Sequence, residues 1–491
     1  MTGRPQSLIL ITVDCVRADH VGFMGYDRPT TPFLDSLAAE SLVVPAAVVS
    51  GAPTFYSLPG MMASRHPLGL GRDVIGIAPG ETTLASGLRD SGYTTAAFVA
   101  ANPYLSSRFG YDQGFDVFQD FGGETHGAQA GLAPIAHSRN RLNQRIERLS
   151  RKFKPIAAAY DELYFEYCQR LANPRPESLD GLRRFPASDT IVDHAEEWAT
   201  SIADQPFFLW LHFMDPHAPY YPTDEALALM EDGDLTPFRA RYLNSSWNRG
   251  DLTSSRLKRY QADIIALYDA GIRWVDHQVE RLVQSLRGLH LWDDCALIFT
   301  ADHGEEFLDH GGRFHPPANL KEEIVHVPLM LRVPCALKCS VAATPFSHLH
   351  LAPTILEAIN LQPPAEFQGR SLWSELQSGK SWNDVAIVES VGSCLNPFDR
   401  NNRLYGRTIA VREQQYKLII DFDLDREELF DLASDPAEQT PLPANREKAV
   451  RSRLLQRVLQ HLQAPLHLEH SPLRLSGRLS ELRLELAQRT H

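Results

Sequence analysis

Short apolar runs that end on acidic or imidazole-bearing residues constrain this chain more than any other feature. SLILITV, from Ser7 to Val13, is rich in leucine and β-branched residues, the pattern of a parallel strand buried on both faces, and it delivers Asp14 to the strand's C-terminal end. CALIFTA ends in the same way on Asp302 and His303, and PFFLWLHF, which contains His212, is followed by Asp215 and His217. Ligands of open α/β sheets bind outside the carboxyl ends of the strands, so these residues are expected to meet at one sheet edge. Helical patterns alternate with the strands: PFLDSLAAES, with Thr31 as N-cap and Pro32 at the first helical position, then TLASGLRDSG, DTIVDHAEEWATSIAD and the long SSRLKRYQADIIALYDAGIRWVDHQVERLVQSL. TTAAFVA reads as a further strand. The alternation is an α/β signature.

At 491 residues the chain exceeds what one core usually serves. The expected organisation is an α/β catalytic domain over 1–370, a small antiparallel-sheet subdomain over 371–445, and a helical tail over 446–491. An insertion over about 120–185 carries GGETHGAQAG and the basic run RNRLNQRIERLSRKFK; it is placed near the mouth of the site, with the basic run read as a solvated surface helix. The subdomain is built from DVAIVES, RTIAVRE, YKLIID and EELFDL, short strand-like pieces between turns. The tail's Arg/Leu-rich helices could cap the core or join two subunits in a homo-oligomer.

A formal net charge of -13 argues against a nucleic-acid partner, which would need a basic surface. Six scattered cysteines without a CxxC pair fit a reduced compartment. The N-terminal apolar run is far shorter than a signal peptide needs, and no stretch approaches the ~20 apolar residues of a membrane span, so a soluble cytoplasmic protein is expected.

Asp14, Asp302 and His303 offer two carboxylates and an imidazole, a set suited to a divalent cation such as Zn²⁺, Mn²⁺, Mg²⁺ or Ca²⁺. The Thr54 hydroxyl, in GAPTFYSLPGMMASRHP, would complete the sphere. Metal coordination lowers the pKa of a hydroxyl, so an otherwise inert alcohol becomes a nucleophile near neutral pH.

VDCVRADHVGFMGYDRPTTPFLDSLA, TADHGEEFLDHGG followed by EEIVHVPLMLRVP, HFMDPHAPYYP and YKLIIDFDLDREELFDLASDPAEQ resemble, in that order, the successive motifs of the sulfatase-like branch of the alkaline phosphatase superfamily. The resemblance implies a mixed, mostly parallel sheet sandwiched by helices with a smaller C-terminal antiparallel α+β subdomain. It also implies a metal-dependent, double-displacement hydrolysis of a small anionic ester. His217 then matches the family's general acid or substrate-binding histidine, and His315 falls where a lysine or histidine is expected. His212, Asp215, His310, Arg313 and Arg17 are further candidate substrate contacts, although a packed strand residue is the favoured reading of His212 and Arg17 can equally be a structural ion-pair residue. Asp215, His217 and His315 could nominally hold a second metal.

Departures set the subclass. True sulfatases carry Cys or Ser followed by x-Pro-x-Arg, for conversion to formylglycine; here Thr54-Phe55-Tyr56-Ser57-Leu58 stands in that place. Threonine cannot give formylglycine, because its β-carbon bears a methyl group. AAFVAANPYLS replaces a Gly-Lys-Trp-His piece, leaving Asn102 as the polar contact there, and Cys15 stands where a second aspartate is often found. Ser57 is read as a helix cap rather than the nucleophile. The leading expectation is phosphate or phosphonate ester hydrolysis, of a diester or small phosphorylated metabolite. The alternatives are a sulfatase working without formylglycine and a catalytically degenerate binding protein.

Overall fold

The computed structural model describes residues 7–463, apart from 73, 123–153, 173–174, 203–204, 232–234 and 337–340. All but the first residue of GGETHGAQAG, nearly all of the basic run after it and the last predicted helix therefore lie outside the described residues.

A seven-stranded mixed sheet forms the centre. In chain order its strands are β1 (Ser7–Val13), β2 (Leu42–Val43), β3 (Thr94–Val99), β4 (Val117–Gln119), β5 (Phe207–Phe213), β6 (Cys295–Ala301) and β7 (Leu329–Arg332). Their spatial order is β2-β7-β6-β1-β5-β3-β4, and β1 is flanked in parallel by β5 and β6. All seven residues of β1, β5 and β6 are buried, as continuous apolar runs covered on both faces require. Register then decides the site: Val13 pairs with both Phe213 and Ala301, and Val99 pairs with His212. Asp14, Met214, Asp302 and the segment leading to Asn102 consequently leave the sheet at one edge.

The helices that matter are α1 (Pro32–Ala38), α2 (Thr54–Ala63), α3 (Leu84–Asp90), α4 (Ser188–Ser201) and α5 (Ser254–Gly288). Along α5, Leu257, Tyr260, Ile264, Leu267, Gly271, Val275, Val279, Leu282 and Leu286 are buried at spacings of three and four, one stripe turned into the core. Thr31 does precede α1, with Pro32 at its first position, but its hydroxyl donates to Asp35 instead of capping. The amides of Phe33 and Leu34 are taken by Asp276 of α5, at 3.1 and 2.8 Å, a tertiary cap that local sequence could not announce.

Four antiparallel strands, β8 (Ala386–Val391), β9 (Arg407–Glu413), β10 (Tyr416–Asp421) and β11 (Arg426–Asp431), form a meander in sequence order. Helix α6 (Lys448–Gln463) lays Val450, Leu454, Leu455, Val458 and Leu462 on that sheet. This apolar face is used within the chain, so the first tail helix caps its own subdomain and does not offer that face to a second subunit. Among the described residues no helix is long and apolar enough to cross a membrane.

Candidate active site

The ends of two adjacent strands contribute three groups to a single buried cluster. Asp14 follows β1, and Asp302 and His303 follow β6; their ligand atoms all lie within 4.8 Å of one another, and all three side chains are fully buried. His303 Nε2 stands 3.6 Å from Asp14 Oδ1 and 3.6 Å from Asp302 Oδ2. Its Nδ1 lies 2.8 Å from the Gly304 carbonyl, which fixes the tautomer with Nε2 free to ligate. Glycine is required at 304, since a Cβ there would come within 2.0 Å of the Glu323 carbonyl oxygen. Thr54, the first residue of α2, places Oγ1 3.2 Å from His303 Nε2 and 3.4 Å from Asp14 Oδ2. The hydroxyl thus sits at a helix N-terminus, where the dipole favours developing negative charge.

The donor set fits a divalent cation. Asp302 Oδ2 and His212 Nε2 are buried and, among the described residues, have no hydrogen-bond partner. Two carboxylates side by side in the interior also need positive charge. Burial and the neighbouring Asp14 charge push Asp302 above the usual carboxylate range. Burial acts on Asp14 in the same sense, but the imidazoles of His217, His212 and His303 outweigh it and hold Asp14 well below that range. Asp14, Asp302, His303 and Thr54 would hold the ion.

Above the cluster opens a cavity of about 430 Å³, lined by Thr54, Asn102, His217, Arg313 and His315 and walled by aromatic and proline residues. His217 Nδ1 is 2.6 Å from the Ala218 carbonyl; the residue lines the cavity, and one of its ring nitrogens lies within 4.8 Å of ligand atoms of Asp14 and Cys15. His315 stacks obliquely between His217 and His303, with centroid distances of 5.1 and 4.5 Å. A larger groove of about 610 Å³, lined by Arg239, Tyr242, Arg259 and Tyr260 among others, contains none of the strand-end residues.

Several predicted contacts sit elsewhere. Asp215 turns away from the cavity: it pairs with Arg183 at 2.8 Å and accepts the amide of Ser188 at the start of α4, so the set Asp215, His217 and His315 does not assemble. Arg17 is the structural alternative, bound to Asp19 and Asp309 and donating to the Glu305 carbonyl. His310 points outward to Glu323 and to the Glu438 carbonyl of the subdomain. Asn102 lines the cavity, but its Nδ2 donates to Asp14 Oδ2 at 2.9 Å, which makes it a positioning residue for that carboxylate. His212 is the packed strand histidine, with Nδ1 2.8 Å from the Thr12 hydroxyl, and its other nitrogen abuts Asp14 Oδ2 at 3.7 Å. Ser57 lies inside α2 rather than at its cap.

Sequence reasoning missed Glu305 and Tyr220. Glu305, fully buried, takes His315 Nδ1 at 2.7 Å on one oxygen and the Tyr220 hydroxyl at 2.7 Å on the other. Burial would raise its pKa, yet the charge and hydrogen bond of His315 and the hydroxyl of Tyr220 keep it below the usual range. The available signal was a second acidic residue three positions past Asp302. Cys15 joins the cluster too, its Sγ 2.9 Å from Asp14 Oδ1 and 3.4 Å from His315 Nδ1.

Residues 6–361 match the family model described as Sulfatase, and residues 312–464 match the model described as N-sulphoglucosamine sulphohydrolase, C-terminal. The chain is similar to a choline-sulfatase of Rhizobium meliloti, 28% identical over 49% of this chain and 47% of that protein. It thus spans about half the length of that curated relative. Similarity to an arylsulfatase of Clostridium perfringens is 24% over 92% of this chain and 93% of that one. A phosphonate monoester hydrolase of Agrobacterium radiobacter shares the fold, with a TM-score of 0.64, 20% identity, and coverage of 92% of this chain and 95% of that one.

Proposed function

The chain belongs to the sulfatase family, and on that premise we propose that it hydrolyses a phosphate or phosphonate ester, a diester or small phosphorylated metabolite, with Thr54 as the nucleophile. What carries the reading is the placement of Thr54 Oγ1: at the base of the cavity, at a helix N-terminus, within 3.4 Å of both Asp14 and His303. A bound divalent ion (Zn²⁺, Mn²⁺, Mg²⁺ or Ca²⁺) supplies Lewis acidity that lowers the hydroxyl's pKa and offsets charge on the phosphoryl oxygens.

This chain's own groups do the rest. Thr54 Oγ1 releases its proton to solvent, from which His217 later recovers one, and attacks phosphorus; the P–O bond to the leaving group breaks as the bond to Thr54 forms. His217, which lines the cavity, protonates the departing alkoxide. His315, oriented by the Glu305–Tyr220 relay, and Arg313 donate to the phosphoryl oxygens. Water then attacks the phosphothreonine, breaking its P–O bond and returning a proton to Thr54. The aromatic and proline walls lower the local dielectric, which strengthens these charged contacts.

A second reading, sulfate-ester hydrolysis without formylglycine, is favoured by the curated relatives named as sulfatases. Parallel assays with aryl phosphate, phosphodiester, phosphonate and sulfate substrates separate the two. Phosphorus esters are expected to dominate; dominant sulfate turnover overturns the proposal. A cytoplasmic setting belongs to the same proposal.

A further inference from the structure

A second group of potential ligands lies away from the cavity, where three distant parts of the chain meet. His66 follows the C-terminal end of α2, Glu389 sits in β8, and His461 lies in the last turn of α6; their ligand atoms all fall within 4.8 Å of one another. We propose that His66, Glu389 and His461 form a second divalent-cation site, of the borderline kind that zinc prefers, which fastens α6 and β8 to the segment following α2.

Glu389 is 1% exposed and held firmly: Oε1 accepts the Leu68 amide at 2.9 Å and Oε2 lies 2.9 Å from His461 Nε2. The His66 and His461 rings stand edge to face with centroids 4.5 Å apart. His66 Nδ1 is buried and, among the described residues, has no hydrogen-bond partner. A buried nitrogen lone pair beside a carboxylate and a second imidazole costs free energy as it stands. An ion there satisfies it, replacing the hydrogen between His461 and Glu389. Two imidazoles and one carboxylate suit Zn²⁺ with an open fourth position, whereas Mg²⁺ and Ca²⁺ favour oxygen-only sets. Both histidines are part-exposed, so the ion has a route in. Arg407, 3.6 Å from Glu389 Oε2, restrains the carboxylate and also weakens the site by its charge. Glu306, His310 and Glu323 form a comparable cluster, but each has partners there: Gly312, Asn319 and the Glu438 carbonyl among them.

The test uses the full-length protein, stripped with chelator, reloaded with Zn²⁺ and desalted, with zinc per chain measured by emission spectrometry for wild type, His66→Gln and His461→Gln. Each variant is expected to bind one ion fewer than wild type, to lose part of the Zn²⁺-dependent rise in Tm, and to keep wild-type turnover. In wild type loaded with Co²⁺, visible d–d bands of a low-symmetry site should appear that both variants lack. Equal zinc content in all three proteins overturns the proposal and leaves His461–Glu389 a plain ion pair. Should His461→Gln fail to fold, His66→Gln decides, because its Nδ1 has no partner to lose.

Discussion

Replacing Thr54 with alanine separates chemistry from folding more sharply than any other change. The substitution removes a hydroxyl whose contacts, at 3.2 and 3.4 Å, are at the long end for hydrogen bonds, so their loss costs about 1 kcal/mol of stability. The methyl group lost at this 4% exposed position adds about 0.8 kcal/mol. Together these lower Tm by only a few degrees. Loss of the attacking atom is far larger: deleting a nucleophile costs on the order of 10⁴–10⁶ in turnover, or about 5–8 kcal/mol of barrier. The assay pairs steady-state turnover of an aryl phosphate with thermal unfolding and metal content, and adds mass spectrometry of acid-quenched wild type for a phosphorylated peptide containing Thr54. Thr54→Ala should be folded, metal-loaded and inert, while Thr54→Ser should retain turnover. Wild-type rates in Thr54→Ala would refute the assignment of the nucleophile.

His217→Ala should reduce turnover by about 10²–10⁴ for an alkyl leaving group, which needs a proton, and far less for a nitrophenolate, which does not; equal losses for both would remove His217 as the acid. Asp215→Ala should leave the catalytic metal content unchanged but destabilise the fold by about 2–3 kcal/mol, measured by denaturant unfolding, because the largely covered Arg183 guanidinium loses its carboxylate and keeps only the Tyr221 carbonyl. His310 is raised to about 9 by its hydrogen bond to Glu323, against the opposing effect of burial. Since its folded pKa lies above the unfolded value of about 6.5, its contribution is complete below that pH and is lost as pH rises through about 9. His310→Gln should therefore flatten the stability profile between those limits and leave it unchanged at higher pH.

The strands were legible because their apolar runs are short, leucine-rich or β-branched and bounded by polar residues, the pattern of strands covered on both faces. Residues following β1 and β6 necessarily emerge at one edge once those strands pair in parallel, which is why Asp14, Asp302 and His303 could be placed together from sequence. Thr54 was legible through its motif, and β9 and β10 match RTIAVRE and YKLIID residue for residue. Beyond a strand's end, periodicity carries no information about where a side chain turns. Asp215 and His217 are two positions apart, yet Arg183 and the amide of Ser188 draw one away while the cavity keeps the other. Arg17, His310 and Asn102 were settled likewise by partners hundreds of positions away or on neighbouring loops. Local sequence determined which groups reach the sheet edge; long-range charge pairing and packing decided which of them line the cavity, because those energies depend on distances that exist only after the chain has folded.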